Sequence, residues 1–240
     1  MGNFGIKIIT DSEEFHTSDI GLKMTALKIP QPKAKTNYVN VPGASGSIDL
    51  SEVYGSVVYE NRDGLTFTFV LRNDFESWAA AVQSLAAKIH GKKCKVIVDN
   101  DKNYYYVCRL AIDYEKSKKS VGTITISGNA EPFKYDIFAS DERWEWDPFD
   151  FERGVIRELI DMQITATANT VTIPGATNYR TPVFVVTKSN NLKFTHNNRT
   201  YDLSKPGTYR FPAVRVGEES LTLTFTGTGT LTIKFRGAYL

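Results

Sequence analysis

A chain of 240 residues, 41% hydrophobic and 23% charged, carries too many core-forming side chains for a disordered protein and, at ~150 residues per domain, is long enough for two. Its formal net charge of +2 excludes a broadly basic nucleic-acid-binding surface, and the one dense basic run, Lys116-Ser117-Lys118-Lys119, falls between two predicted strands and reads as a solvated hairpin tip. Residues 1–10 lack the layout of a secretory leader, no stretch reaches membrane-spanning length, and Ile6 stands where a myristoylation signal needs Ser or Thr, so a chain made and folded in a cytoplasm is expected.

In chain order, the first signal is the loop Val41-Pro42-Gly43-Ala44-Ser45-Gly46-Ser47-Ile48-Asp49. A strand follows, because Leu65, Phe67, Phe69 and Leu71 alternate with Thr66 and Thr68 and so share one face. Asn73 then fits a helix N-cap, with Glu76 three residues on able to complete a capping box. Phe75, Trp78, Val82, Leu85 and Ile89 recur at spacings of three and four, which makes one apolar helical stripe, backed by Ala80, Ala86 and Ala87. Lys88 and His90 suit the negative end of the helix dipole, and Gly91 is placed to stop the helix.

A hairpin comes next, with Cys94, Val96 and Val98 on one face with Tyr104, Tyr106, Cys108 and Leu110. A turn centred on Asp101 sets Cys94 directly opposite Cys108. Such neighbours can be bridged, but in a reducing cytosol two small core side chains are the expected state. A further strand, residues 121–127, leads to Pro132-Phe133-Lys134-Tyr135. The following stretch is acidic and aromatic, with Trp144, Trp146, Phe149 and Phe151 around Asp147-Pro148, and reads as a connector packed on a domain face. The remainder is strand-rich. Asn197-Asn198 suits a two-residue turn with positive φ and places Phe194 opposite Tyr201. Thr226-Gly227-Thr228-Gly229 predicts a last hairpin, pairing Phe225 with Leu231, Leu223 with Ile233 and Leu221 with Phe235.

Residues that could carry chemistry have simpler readings. Asp99-Asn100-Asp101-Lys102-Asn103 opens like a calcium loop, but Tyr104 stands where glycine is needed and Leu110 where the bidentate Glu belongs, so a hairpin turn is expected. His16, His90 and His196 are isolated and match no zinc spacing. No nucleophile elbow, phosphate loop or dinucleotide fingerprint is present. Glu142, Glu145, Asp147, Asp150 and Glu152 beside two tryptophans are where a glycosidase pair would be sought, and Trp144 and Trp146 could form a glycan platform. Burial of those rings at an interface is the simpler account.

Taken together, Val41-Pro42-Gly43, Ile48-Asp49-Leu50, the Trp78 helix, Gly91-Lys92, the Tyr104-to-Arg109 hairpin strand and Pro132-Phe133-Lys134-Tyr135 follow a recognisable order. That order resembles the distal tail proteins (Dit) of siphophages and prophages of Gram-positive bacteria. The segment Trp144-Glu145-Trp146-Asp147-Pro148-Phe149 and the ending Gly229-Thr230-Leu231-Thr232-Ile233-Lys234-Phe235-Arg236-Gly237 extend the likeness over nearly the whole chain. Ala44 departs from it, since many members carry a basic residue there.

The resemblance implies a mainly β fold: an N-terminal β-sandwich with one α-helix (residues 1–137), the connector (138–161), and a C-terminal galectin-like or carbohydrate-module-like β-sandwich (162–240). It implies a structural hub of a phage tail tip or baseplate, located in the virion and made in the host cytoplasm. This hub is a homohexameric ring joining the tail-tube protein to the tail-associated adsorption protein. No catalysis, cofactor, metal, membrane or sequence-specific nucleic acid is expected. Ring closure needs heterologous contacts between unlike patches. The exposed stretch from Val39 to Leu50, flanked by Lys33 and Lys35, is the expected arm, with Val41, Pro42, Gly43, Gly46, Ile48 and Asp49 as subunit-assembly residues. The alternative is a carbohydrate-binding protein recognising host cell-wall saccharide through exposed rings, Trp144 and Trp146 among them.

Overall fold

Strand-forming runs dominate the first half of the chain, and the computed structural model pairs most of them into one antiparallel sheet, packed with the one α-helix found among the described residues. The structure describes residues 4–53, 55–72, 75–143 and 154–240. Two units make up the chain: Met1–Asp101 with Tyr105–Lys134, and Lys102–Tyr104 with Tyr135–Leu240.

In the first unit, β1 (Ile6–Ile9) and β2 (Glu14–His16) precede a 3-10 turn at Thr17–Ile20, then β3 (Lys23–Lys28). A separate two-stranded hairpin, β4 (Tyr38–Asn40) and β5 (Ser47–Asp49), leads to β6 (Arg62–Arg72) and the helix α1 (Phe75–Ile89). Strands β7 (Lys93–Val98), β8 (Tyr104–Lys118) and β9 (Val121–Asp136) complete the main sheet, ordered β2-β1-β7-β8-β9-β6-β3. The alternation in β6 does what its period requires: Leu65, Phe67, Phe69 and Leu71 are buried in one core. Trp78, Val82, Leu85 and Ile89 of α1 enter that same core, and burying each stabilises the fold by about 1.5–3 kcal/mol. Gly122 on β9 makes room for the indole, since a Cβ there would lie 2.3 Å from a Trp78 ring carbon.

Helix α1 ends as expected, at Gly91 with φ +73°. Lys88 in its last turn pairs with Glu13, and His90 Nδ1 accepts from the Ile112 amide. The supporting alanine is not Ala80 or Ala87, which are exposed; Ala81 packs against the core instead. The predicted N-cap, Asn73, lies outside the described residues. The β7–β8 register is the expected one: Cys94 stands opposite Cys108 and Val96 opposite Tyr106, with both thiols free and buried. The basic run lies at the β8–β9 tip, where the Lys116 ammonium sits 4.6 Å from the centroid of the Trp78 ring.

From Met162 onward the second unit is built of strands. Its strands are β10 (Met162–Ile164), β11 (Thr170–Ile173), β12 (Val183–His196), β13 (Arg199–Asp202), β14 (Gly207–Arg210), β15 (Leu221–Lys234) and β16 (Ala238–Tyr239). The sheet runs β10-β15-β12-β13, with β11 added on β15 and β14 on β12. Phe184, Phe194 and Phe225 are fully buried at its centre, and Phe194 stacks on Tyr201 with ring centroids 4.9 Å apart. The Asn197-Asn198 turn forms as read, both residues at positive φ, with Phe194 opposite Tyr201.

The predicted hairpin at Thr226-Gly227-Thr228-Gly229 does not form. Residues 221–234 make one continuous strand paired along β12, so Phe225 faces Phe194 and Leu231 faces Val186. The glycines serve a bend instead. Strand β12 bulges between Asn190 and Lys193, and its backbone crosses so closely that a Cβ on Gly227 would lie 2.3 Å from the Asn191 carbonyl oxygen.

Candidate functional site

The expected assembly residues stand together on the hairpin that leaves the main sheet of the first unit. Its tip is a type II turn: Pro42 supplies the fixed φ, Gly43 takes φ +83°, and the Ala44 amide donates to the Val41 carbonyl at 3.1 Å. Gly46, at φ +82°, turns the chain back into β5. Val39 then faces Ile48 and Tyr38 faces Asp49 across the ladder. Asp49 is used locally, its carboxylate accepting from the amide and hydroxyl of Ser51, and those bonds lower its pKa.

Below the tip the two sides stay bonded: the Leu50 amide donates to Asn37 O, Lys35 N to Val58 O and Glu60 N to Lys33 O. Every residue from Lys33 to Leu50 is nevertheless exposed. Tyr38 (59% exposed), Ile48 (53%) and Val53 (63%) are the most open of its apolar side chains, and Val39, Val41, Val57 and Val58 join them. A two-stranded ribbon is marginal by itself, and exposed apolar side chains gathered on one hairpin are the kind of surface that protein–protein contacts use.

The root of this arm is held by a residue that sequence reasoning passed over. Arg62, at the start of β6 and 1% exposed, donates through Nε to Pro132 O and through Nη1 to Pro30 O, both at 2.9 Å, and to Gln31 Oε1 at 3.2 Å. It therefore ties the segment entering the arm to the strand leaving it and to β9. Its guanidinium also lies 5.5 Å from the centroid of the Tyr106 ring. Burial lowers its pKa, but an arginine stays charged throughout the ordinary pH range. No spacing rule connects Arg62 to Pro30 or Pro132; a lone arginine opening an apolar strand is the only trace it leaves.

The other sequence candidates resolve into structural roles. Asp99 accepts from the Gly5 amide at 2.7 Å and meets His16 Nε2 at 3.2 Å, while Asp101 pairs with Lys134 at 2.6 Å. Both carboxylates are thus engaged, and no group of three or more metal-ligating side chains occurs among the described residues. Trp144, Trp146 and the acids Glu145, Asp147, Asp150 and Glu152 lie outside the described residues. In the second unit, Asp136 and Arg157 form a buried ion pair. Burial pushes the Asp136 carboxyl up to about 6, against the pull of Arg157, the Gly237 amide and Arg236. Arg157 also donates to Pro174 O, Gly175 O and Tyr239 Oη, so the pair clamps four chain segments rather than facing a substrate.

No family model matches the chain, and no curated protein matches it in sequence. Among solved structures, it is similar to SPP1 Dit, described as a paradigm of the hub adsorption apparatus in phages infecting Gram-positive bacteria. The TM-score is 0.63 at 9% identity, over 98% of this chain and 99% of that one. It is also similar to a chain of the phage p2 baseplate in its activated conformation with strontium, with TM-score 0.43, 12% identity and 98% of both chains covered. At such identities the likeness to SPP1 Dit establishes the fold: mainly β with one α-helix, in N- and C-terminal antiparallel β-domains.

Proposed function

We propose that this protein is a structural hub of a phage tail tip, a ring-forming distal tail protein. The observation that carries the reading is the fold match to SPP1 Dit, which runs through both domains and leaves almost nothing of either chain uncovered. The arm supports it independently. Its hairpin is defined by turn chemistry and ladder bonds, yet its apolar side chains stay exposed. A neighbouring copy is the natural cover, because a rotationally closed ring supplies each subunit with an unlike patch next door.

On this reading the chain forms a homohexamer at the distal end of the tail, between the tail-tube protein and the adsorption protein. Val41 and Ile48 make the apolar contact, while Pro42, Gly43, Gly46 and Asp49 fix the shape of the tip. The role is architectural and requires no cofactor. Residues 1–137 serve the ring, and 162–240 form the outer domain, with 138–161 between.

Electron microscopy of the purified chain across a concentration series, with light scattering for mass, tests the proposal. Six-fold rings with a central opening are the expected result. A compact monomer at every concentration, unchanged when the tail-tube protein is added, overturns it.

A further inference from the structure

The second unit carries a polar cleft of about 700 Å³, lined by Asp141, Glu142, Tyr179, Arg180, Arg210, Arg215, Lys234 and Arg236 among others. Its charge arises from strand register. Arg210 of β14 and Lys234 of β15 both stand opposite Val183 of β12, so all three project to the same face, away from buried Phe184. Two strand spacings separate those cations, about 10 Å. A second cationic wall comes from the bridge between Arg180 and Val216, which brings Arg215 beside it.

Not all of these charges are neutralised. Lys234 pairs with Asp141 at 2.9 Å and Arg236 with Glu142 at 2.7 Å. Arg180, Arg210 and Arg215 have no ion pair among the described residues. Arg180 is nevertheless held in place, 5.2 Å from the centroid of the Tyr135 ring and donating to Arg236 O. Among the described residues Arg215 donates only its Nε, to Pro212 O at 3.2 Å. Its two terminal nitrogens remain for a ligand.

An aromatic ring completes the cleft. Tyr179 is 58% exposed, yet its ring is seated on Gly217, where a Cβ would lie 2.4 Å from a ring carbon. Gly217 has an ordinary φ, so glycine is required there for the ring's position and not for the backbone. An exposed, fixed ring beside three unpaired guanidinium groups combines two recognition elements. The guanidinium forks suit a phosphate, which offers three acceptor oxygens and more than one negative charge. The ring suits the apolar face of a sugar. The cleft has the volume of a small-ligand site, not of a track for an extended polymer.

We propose that this cleft binds a phosphorylated saccharide, with the phosphate held by Arg210 and Arg215 and backed by Arg180, and a sugar ring against Tyr179. The inference stands apart from the hub reading, since it concerns one domain and needs no ring.

The test is calorimetric titration of the full chain with glucose 1-phosphate, inorganic phosphate, glucose and a tetra-aspartate peptide. Glucose 1-phosphate is expected to bind more tightly than any of the other three. The double variant Arg210→Ala/Arg215→Ala should weaken it by about tenfold or more, the loss of charge-assisted bonds. Tyr179→Ala should reduce its affinity to that of inorganic phosphate. All three substituted side chains are exposed, so an unchanged thermal transition will show that the variants are folded. Absence of binding to the unmodified chain overturns the proposal, as does undiminished binding by the double variant. Equal affinity for the peptide overturns it as well, by identifying a general polyanion surface.

Discussion

Arg62 donates from Nη1 to the carbonyl of Pro30 at 2.9 Å, and this bond joins the two ends of a hairpin that has no core of its own. The guanidinium is buried, while Nη2 has no hydrogen-bond partner among the described residues, so the residue is retained despite a desolvation cost. What it returns is a fixed exit direction for the arm. Replacing Arg62 with Ala removes three acceptors' partners and leaves the Pro30 and Pro132 carbonyls unsatisfied. A loss of about 3 kcal/mol in urea unfolding is expected. A loss below about 1 kcal/mol would mean that water replaces the guanidinium at little cost.

Val41→Asp with Ile48→Asp tests the arm itself. Both side chains are exposed, so the monomer's melting transition should stay cooperative and move little, within about 0.5 kcal/mol. Any ring should be lost, since each interface would then desolvate two unpaired carboxylates. Light scattering reads mass and calorimetry reads folding. A variant that no longer melts cooperatively would show these residues to be part of a core.

The helix and the Asn197-Asn198 hairpin were legible because their signals are local: a period near 3.6 for one, two adjacent positive-φ residues for the other. The fate of Gly227 and Gly229 was not. The same glycines permit a tight turn or a bend, and the bulge in β12 that decides between them is some 35 residues away in sequence. The arm was legible as an apolar, glycine-tipped loop, while its root at Arg62 and the cationic cleft are assembled from residues far apart in the chain. Sequence spacing carries no information about either.

Cys94 and Cys108 face each other across β7 and β8, both 2% exposed. Burial raises both thiol pKa values, most strongly for Cys108, so little thiolate forms at neutral pH. Both thiols should resist a water-soluble disulfide reagent in the native protein and react fully in denaturant. Labelling should therefore track unfolding. Rapid labelling of either cysteine under native conditions would reveal local opening of this hairpin.

Asp136 gives the protein a pH dependence whose sign follows from its burial. The folded carboxyl titrates at about 6, above its ordinary value of 3.8, so between those values the native state holds a proton that the unfolded chain has released. Stability should then fall as pH rises through this window. The contribution is complete below the unfolded value, lost as pH passes the folded one, and flat above it, at about 1.4 kcal/mol per unit of difference. Asp136→Asn keeps the shape and the acceptor for the Gly237 amide but cannot ionise. Its stability profile from pH 4 to 7 should lack the descending limb that unfolding of the unmodified chain shows. At neutral pH the unmodified chain must carry the ionised carboxylate, whose desolvation outweighs the pull of Arg157. The two profiles should therefore lie closest at the acid end and differ in slope across the window. Parallel profiles would assign the pH dependence to other carboxylates and leave Asp136 ionised throughout.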